Sequence, residues 1–139
     1  MDTIERNRAA MKRFETAINT CDDALAAELV APDAPFFTPV SEEPLYGGAG
    51  YLEVVRFMRA SFPDVQWHME DMAVDAQKAA VWWTCSGTHL GEFMGHAPTG
   101  KTFSFSVMNF YYFNDEGRIV RDVAAEGLIG LFRALGLKP

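Results

Sequence analysis

Cysteine is scarce in this chain, with two among 139 residues. Cys21 closes a helical pattern and Cys85 lies in an apolar run far from it, so two reduced, half-buried thiols are expected, not a disulfide framework. Neither has a Cys or His at metal-ligand spacing, and no metal and no cofactor are expected. Positive charge is also short. Twelve Lys and Arg stand against nineteen Asp and Glu, a net charge of −7. No basic cluster breaks that balance, which argues against nucleic acid and anionic membranes as partners. No apolar run approaches the ~20 residues of a membrane span. The N-terminus is charged, unlike a signal peptide, and a cytoplasmic protein is the expectation by elimination. Internal repeats, low-complexity tracts and linkers are absent as well, so residues 1–139 read as one domain.

What is present is apolar and aromatic. Hydrophobic residues make up 49% of the chain and aromatic residues 13%, enough for a real core. The aromatic share suits a cavity or an oligomer interface in addition to that core.

Helical signals come first. Asp2-Thr3-Ile4-Glu5 reads as a capping box, and Ile4, Met11, Phe14 and Ile18 recur at helical spacing up to about Thr20. Asp22 or Asp23 caps a short second helix with Leu25 and Leu29 inward, stopped by Pro32. Phe36-Phe37-Thr38 is a short strand, and 40–50, with Pro44, Gly47, Gly48 and Gly50, reads as a loop. A third helix runs from Tyr51 to Ser61 with Leu52, Val55 and Met58 on one side and ends before Pro63. Four strands follow, over 65–74, 79–88, 102–113 and 118–125. Asn114-Asp115-Glu116-Gly117 is the turn between the last two. Leu128, Leu131, Phe132 and Leu135 form a short terminal helix. Helices before antiparallel strands give an α+β class.

Between the second and third of these strands lies His89 to Lys101, a segment shaped by Gly91, Gly95, Pro98 and Gly100. With Gly87-Thr88 it reads Gly-Thr-His-x-Gly-x-x-x-Gly-x-x-Pro-Thr-Gly-Lys. That string resembles the SnoaL-like polyketide cyclases (ester cyclases) of the NTF2-like superfamily. The resemblance extends along the whole chain, through Ser61-Phe62-Pro63-Asp64, the turn with Gly117-Arg118-Ile119, and Leu135-Gly136. It implies an NTF2-like cone, a curved antiparallel sheet wrapped round N-terminal helices. It also implies cofactor-free chemistry inside the cone, in which a carboxylate near the end of the last strand takes a proton from carbon next to a carbonyl. A dry pocket raises a carboxylate's pKa toward neutrality and makes it a useful base. Donors aimed at the enolate oxygen stabilise its charge.

Residue by residue, the resemblance carries over with departures. Alignment on Leu135-Gly136 puts the catalytic acid at Gly127, next to Glu126. Alignment on the hairpin puts the neighbouring-strand His at Tyr112, and the Glu and Trp frequent on the last strand at Arg121 and Val123. Glu126 or Asp122 is therefore the candidate base, with Tyr112 as donor. Pairing Phe113 with Arg118 sets Tyr112 against Ile119, Phe110 against Arg121 and Met108 against Val123. Tyr112, Phe110, Met108, Arg121 and Val123 then share one face, and Asn109, Asp122 and Glu126 the other. A shift of one residue exchanges the sets on the last strand, so either Arg121 or Asp122 enters the cone. Candidate substrate contacts are His89, Arg121, Trp83, Phe110 and Met108, with His89 alternatively a residue that fixes the glycine loop. His68 reads as a sheet-face residue and His96 as an exposed loop residue.

Trp82 and Trp83 are consecutive on a strand and point to opposite faces, as do Tyr111 and Tyr112. A sheet apolar on both faces, with helices for only one, implies a homodimer through the other. Three functions stay open. The first is enolate chemistry, of aldol or isomerase type, on a small apolar carbonyl compound. The second is non-catalytic binding of a small, oxygen-bearing apolar ligand. The third is epoxide-hydrolase-like water addition, which two carboxylates and an Arg in one cavity would favour.

Overall fold

The computed structural model describes residues 2–38 and 41–137. Three helices and a two-stranded ribbon precede a four-stranded antiparallel sheet and a last short helix. α1 spans Thr3–Thr20 and α2 Asp23–Leu29. Asp2 caps α1 by accepting the Glu5 amide at 2.8 Å, and Asp22 caps α2 through the Leu25 amide at 3.0 Å. Cys21 ends α1 in the left-handed conformation. Met11, Phe14, Ala17 and Ile18 form the buried stripe of α1. Ile4, expected on that stripe, is 43% exposed because the first turn runs past the edge of the core.

The segment read as a loop is ordered. β1 (Pro35–Thr38) pairs antiparallel with β2 (Ser41–Tyr46), Phe36 opposite Leu45, and α3 begins at Gly47 and runs to Ser61. Pro44 fits because a two-stranded ribbon has free edges that need no donor. Gly48 fits a helix here because α3 lies on α2. A Cβ at position 48 would sit 2.4 Å from the Ala26 carbonyl carbon, so glycine permits the approach.

β3 (Gln66–Val74), β4 (Lys78–Thr88), β5 (Thr102–Phe113) and β6 (Ile119–Ala124) lie in sequence order. α4 covers Leu128–Ala134. The inner face, packed on α1 and α3, carries Ala79, Val81, Trp83, Tyr111 and Phe113. Bulges fall at Glu70 in β3 and Val120 in β6, where two ladder steps on one strand face one on the next. Such bulges bend and coil a sheet.

The β5–β6 register differs from the expected one. Phe113 pairs with Ile119, Tyr112 with Arg121, Tyr111 with Asp122 and Phe110 with Val123. The Asn114 carboxamide accepts the amides of Glu116 and Arg118, which holds Arg118 in the turn and outside the ladder. That is one step of offset, and the Val120 bulge adds a second. Two steps restore the original faces. Tyr112, Phe110, Met108, Arg121 and Val123 therefore share the outer face, and Asn109 and Asp122 the inner one.

Candidate active site

Between the β1–β2 ribbon, α3, the end of the sheet and α4 lies a cavity of about 630 Å³. Phe36, Phe37 and Val54 supply apolar walls, Tyr51, Asn109 and Asp122 polar groups on the inner side, and Glu126, Ile129 and Arg133 the α4 side.

Asp122 is the central group. It is half-buried, and Asn109 on the adjacent strand donates to its Oδ1 at 2.7 Å. Burial pushes its carboxyl up to about 6, opposed by the Asn109 hydrogen bond, which favours the ionised form. Tyr51 and Tyr111 lie close by. Burial is the main cause that drives both phenols upward, and the Asp122 charge adds to it. Beneath the cavity the Trp83 indole donates to the Tyr111 hydroxyl at 3.0 Å, out of contact with solvent.

The other residues singled out from the sequence are dispersed. Glu126 lines the cavity from its exposed side, where its carboxylate rests on the first turn of α4. A Cβ at Gly130 would come within 2.5 Å of Glu126 Oε2. Trp83 is fully buried under Tyr111 and is not among the residues lining the cavity. Tyr112 lies on the outer face, its ring 5.6 Å from the Arg121 guanidinium carbon. Arg121 contributes to the cavity wall through its place on β6, while its cation stacks on Tyr112. Phe110 and Met108 are exposed on that same outer face.

His89 is remote. It follows Thr88, which pairs with Thr102, seven residues along β5 from Asn109. At ~3.3 Å per residue that is about 23 Å. Its Nδ1 accepts from the Thr99 amide at 3.3 Å, and its ring packs edge-on against Phe62. The glycine loop is fastened there. Ser61 O accepts the amides of Leu90 and Gly91, and Asp64 holds both the amide and the hydroxyl of Thr88 at 2.8 and 2.6 Å. The two stretches that carried the resemblance, around Ser61 and around Gly87, thus grip each other. His68 and His96 are exposed.

Of the cavity residues, only Arg121, Asp122 and Glu126 were singled out from the sequence as site candidates, and Tyr51, Phe37 and Arg133 are among those that were not. Tyr51 follows the inward phase of α3 with Val55 and Met58, and a phenol on a core stripe calls for a polar partner. Phe37 and Arg133 carry no such signal. Their placement depends on the ribbon and on α4. Among the described residues, no three His, Cys, Asp or Glu side chains converge as a metal site would. No helix there is long and apolar enough to cross a membrane.

No curated protein matches the chain. Solved structures do. TsrD of Streptomyces laurentii superimposes with a TM-score of 0.76 over 99% of both chains, at 24% identity. IdmH of Streptomyces antibioticus, a candidate polyketide cyclase, gives 0.73 over 94% of this chain and 99% of its own, at 29% identity. AclR of Streptomyces galilaeus, a candidate hydroxylase, gives 0.71 over 98% and 88%, at 25% identity. The fold is the α+β, NTF2-like cone. The family model for SnoaL-like polyketide cyclases matches residues 8–135, and the chain belongs to that family.

Proposed function

We propose that this protein catalyses cofactor-free enolate chemistry, of aldol or isomerase type, on a small and largely apolar carbonyl compound bound in the cavity. The observation that carries this reading is Asp122. It is an acid on the cavity wall whose proton affinity burial has raised to the range where a carboxylate works as a base near neutral pH. In the ionised state it would take a proton from the carbon beside the substrate carbonyl. The C–H electron pair would move onto the carbonyl oxygen as the enolate. In a cyclisation the enolate carbon would then bond to a second carbonyl carbon of the same molecule, and the new alkoxide would recover the proton from Asp122. Tyr112, Phe110, Met108 and His89 have no part in this scheme, since none of them lines the cavity. Trp83 acts only from beneath it.

A test is solvent-deuterium exchange into the carbon between the carbonyls of 1-phenylbutane-1,3-dione, followed by proton NMR. The protein should accelerate exchange, and Asp122→Asn should lower the rate by about 10²–10⁴-fold while the diketone still binds. Equal rates in both proteins would overturn the reading.

A second reading has one observation in its favour. Glu126 and Arg133 line the same cavity as Asp122, so two carboxylates and a guanidinium share it. That set suits water addition to an epoxide. It ranks second because Asp122 is held by Asn109 and not by an Arg. Asp122-dependent conversion of styrene oxide to the diol, without deuterium exchange, would reverse the order.

The outer sheet face supports a homodimer. Trp82, Met108, Phe110 and Val123 are 42, 55, 45 and 37% exposed there. Trp82 is paired with Met108, and Phe110 with Val123, so the four form one patch.

A further inference from the structure

We propose that the Tyr51 hydroxyl is the donor that holds the substrate's carbonyl oxygen, and that Tyr111 and Trp83 behind it set the direction and strength of that hydrogen bond. This deepens the reading of Asp122 as the base and rests on it.

The Tyr51 ring is fixed. It packs edge-on against Phe14 at 4.9 Å and against Phe36 at 4.8 Å between ring centres. Clamped in this way, the ring does not swing, and the residue lines the cavity that also holds Asp122. The hydrogen bond acting on the Asp122 carboxylate comes from Asn109, and none from Tyr51 competes with it. The base and the phenol are neighbours with separate partners, as a site needs that must receive a C–H on one side and its carbonyl oxygen on the other.

A chain of donors can run from Trp83 through Tyr111 to Tyr51. Indole N–H only donates. Trp83 donates to the Tyr111 oxygen, so the Tyr111 proton is free to turn toward Tyr51. Burial raises the Tyr51 phenol, and the neighbouring Tyr111 hydroxyl works the other way, as a donor to its oxygen would. In the arrangement proposed, the Tyr51 oxygen accepts from behind and its own proton faces the cavity. Donors in series polarise one another, and the last one strengthens. Burial raises the proton affinity of both phenols. Tyr51 therefore keeps its proton across the ordinary pH range and serves as donor, never as base. Negative charge developing on a substrate oxygen is the acceptor such a donor is built to meet.

The probe is 4-nitrophenol, a flat phenol whose anion resembles an enolate and whose absorbance reports its ionisation. Asp122→Asn serves as the background, so that the Asp122 carboxylate does not oppose the bound anion. In that protein the nitrophenol should bind with its ionisation midpoint shifted downward. Adding Tyr51→Phe should abolish the shift and weaken binding by about 10- to 100-fold, the usual worth of a hydrogen bond to a charged group. Adding Tyr111→Phe in place of Tyr51→Phe should give a smaller loss of both. 4-Nitroanisole, of similar shape but with no ionisable oxygen, should bind all three proteins alike, which separates a lost donor from a damaged cavity. If Tyr51→Phe leaves the shift intact, or weakens the anisole as much as the phenol, the inference is overturned and the Asp122 reading stands. If neither compound binds the Asp122→Asn protein or the wild type, both fall together.

Discussion

Asn109 and Asp122 are not opposite each other in the β5–β6 ladder, yet their side chains meet at 2.7 Å. Asp122 pairs with Tyr111, and Asn109 with Ala124. The contact is diagonal across the twisted pair, within the reach of such neighbours. It places an amide donor on a carboxylate that burial pushes toward its protonated form. The site holds its acid between two opposing effects, and burial is the larger.

Asp122 should cost stability at neutral pH. Its carboxyl titrates at about 6 in the fold, above its unfolded value, so the folded protein favours the protonated form. The stabilisation is complete below about pH 4 and is lost as pH rises through 6. Asp122→Asn should therefore raise the thermal midpoint at pH 8 and leave it nearly unchanged at pH 4. At about 1.4 kcal/mol per pKa unit the gain has an upper bound of about 3 kcal/mol. Melting curves at the two pH values check the sign.

Diketone exchange should follow the ionised form of Asp122. The rate should rise through pH 6 and level off above it. Asn109→Ala removes the bond that favours ionisation, so its profile should move to higher pH. Rates from pH 4 to 9 with both proteins test this. A profile unmoved by Asn109→Ala would contradict the role assigned to that amide.

Much of this was legible in the sequence. The α+β class and the four long strands follow from hydrophobic period and turn residues alone. The faces of β6 were left open between two registers, and they are decided by an offset of two residues, one from the turn and one from the Val120 bulge, that no local pattern displays. The 41–50 segment was not legible. Its strand is a short ribbon containing a proline, and its helix starts on glycines chosen for contact with α2, a tertiary demand that no local pattern displays. Asp122 and Glu126 were both named from the sequence, and both line the cavity, whereas Tyr112, named as the donor, lies on the outer face and the phenol on the cavity is Tyr51. Tyr51 is a polar residue on an apolar helix face, a signal that residue type could carry but position in a motif could not.

Glycines in α3 and in the long loop give opposite results to the usual rule. Gly→Ala inside a helix ordinarily stabilises by about 1 kcal/mol. At Gly48 the new Cβ would lie 2.4 Å from the Ala26 carbonyl carbon, and at Gly91 2.4 Å from the Ala60 oxygen, both backbone atoms that cannot step aside. Gly48→Ala and Gly91→Ala should each destabilise, by about 1–3 kcal/mol for an overpacked contact. Urea unfolding gives the sign. Stabilisation by Gly48→Ala would mean that α2 and α3 lie farther apart than described.

The outer face should decide the oligomeric state. Phe110 lies within the exposed patch, between Val123 on β6 and Ala80 on β4. Phe110→Asp buries a charge if that face is covered by a second copy, and costs little if it faces water. The wild type should sediment as a dimer at micromolar concentration, and Phe110→Asp as a monomer with an unchanged circular dichroism spectrum. Trp82, on the same patch, gives a second readout. Its emission should shift to the blue as wild-type concentration rises through the dimer equilibrium, and should stay constant in Phe110→Asp. A wild-type monomer at micromolar concentration would leave the patch without the partner assigned to it.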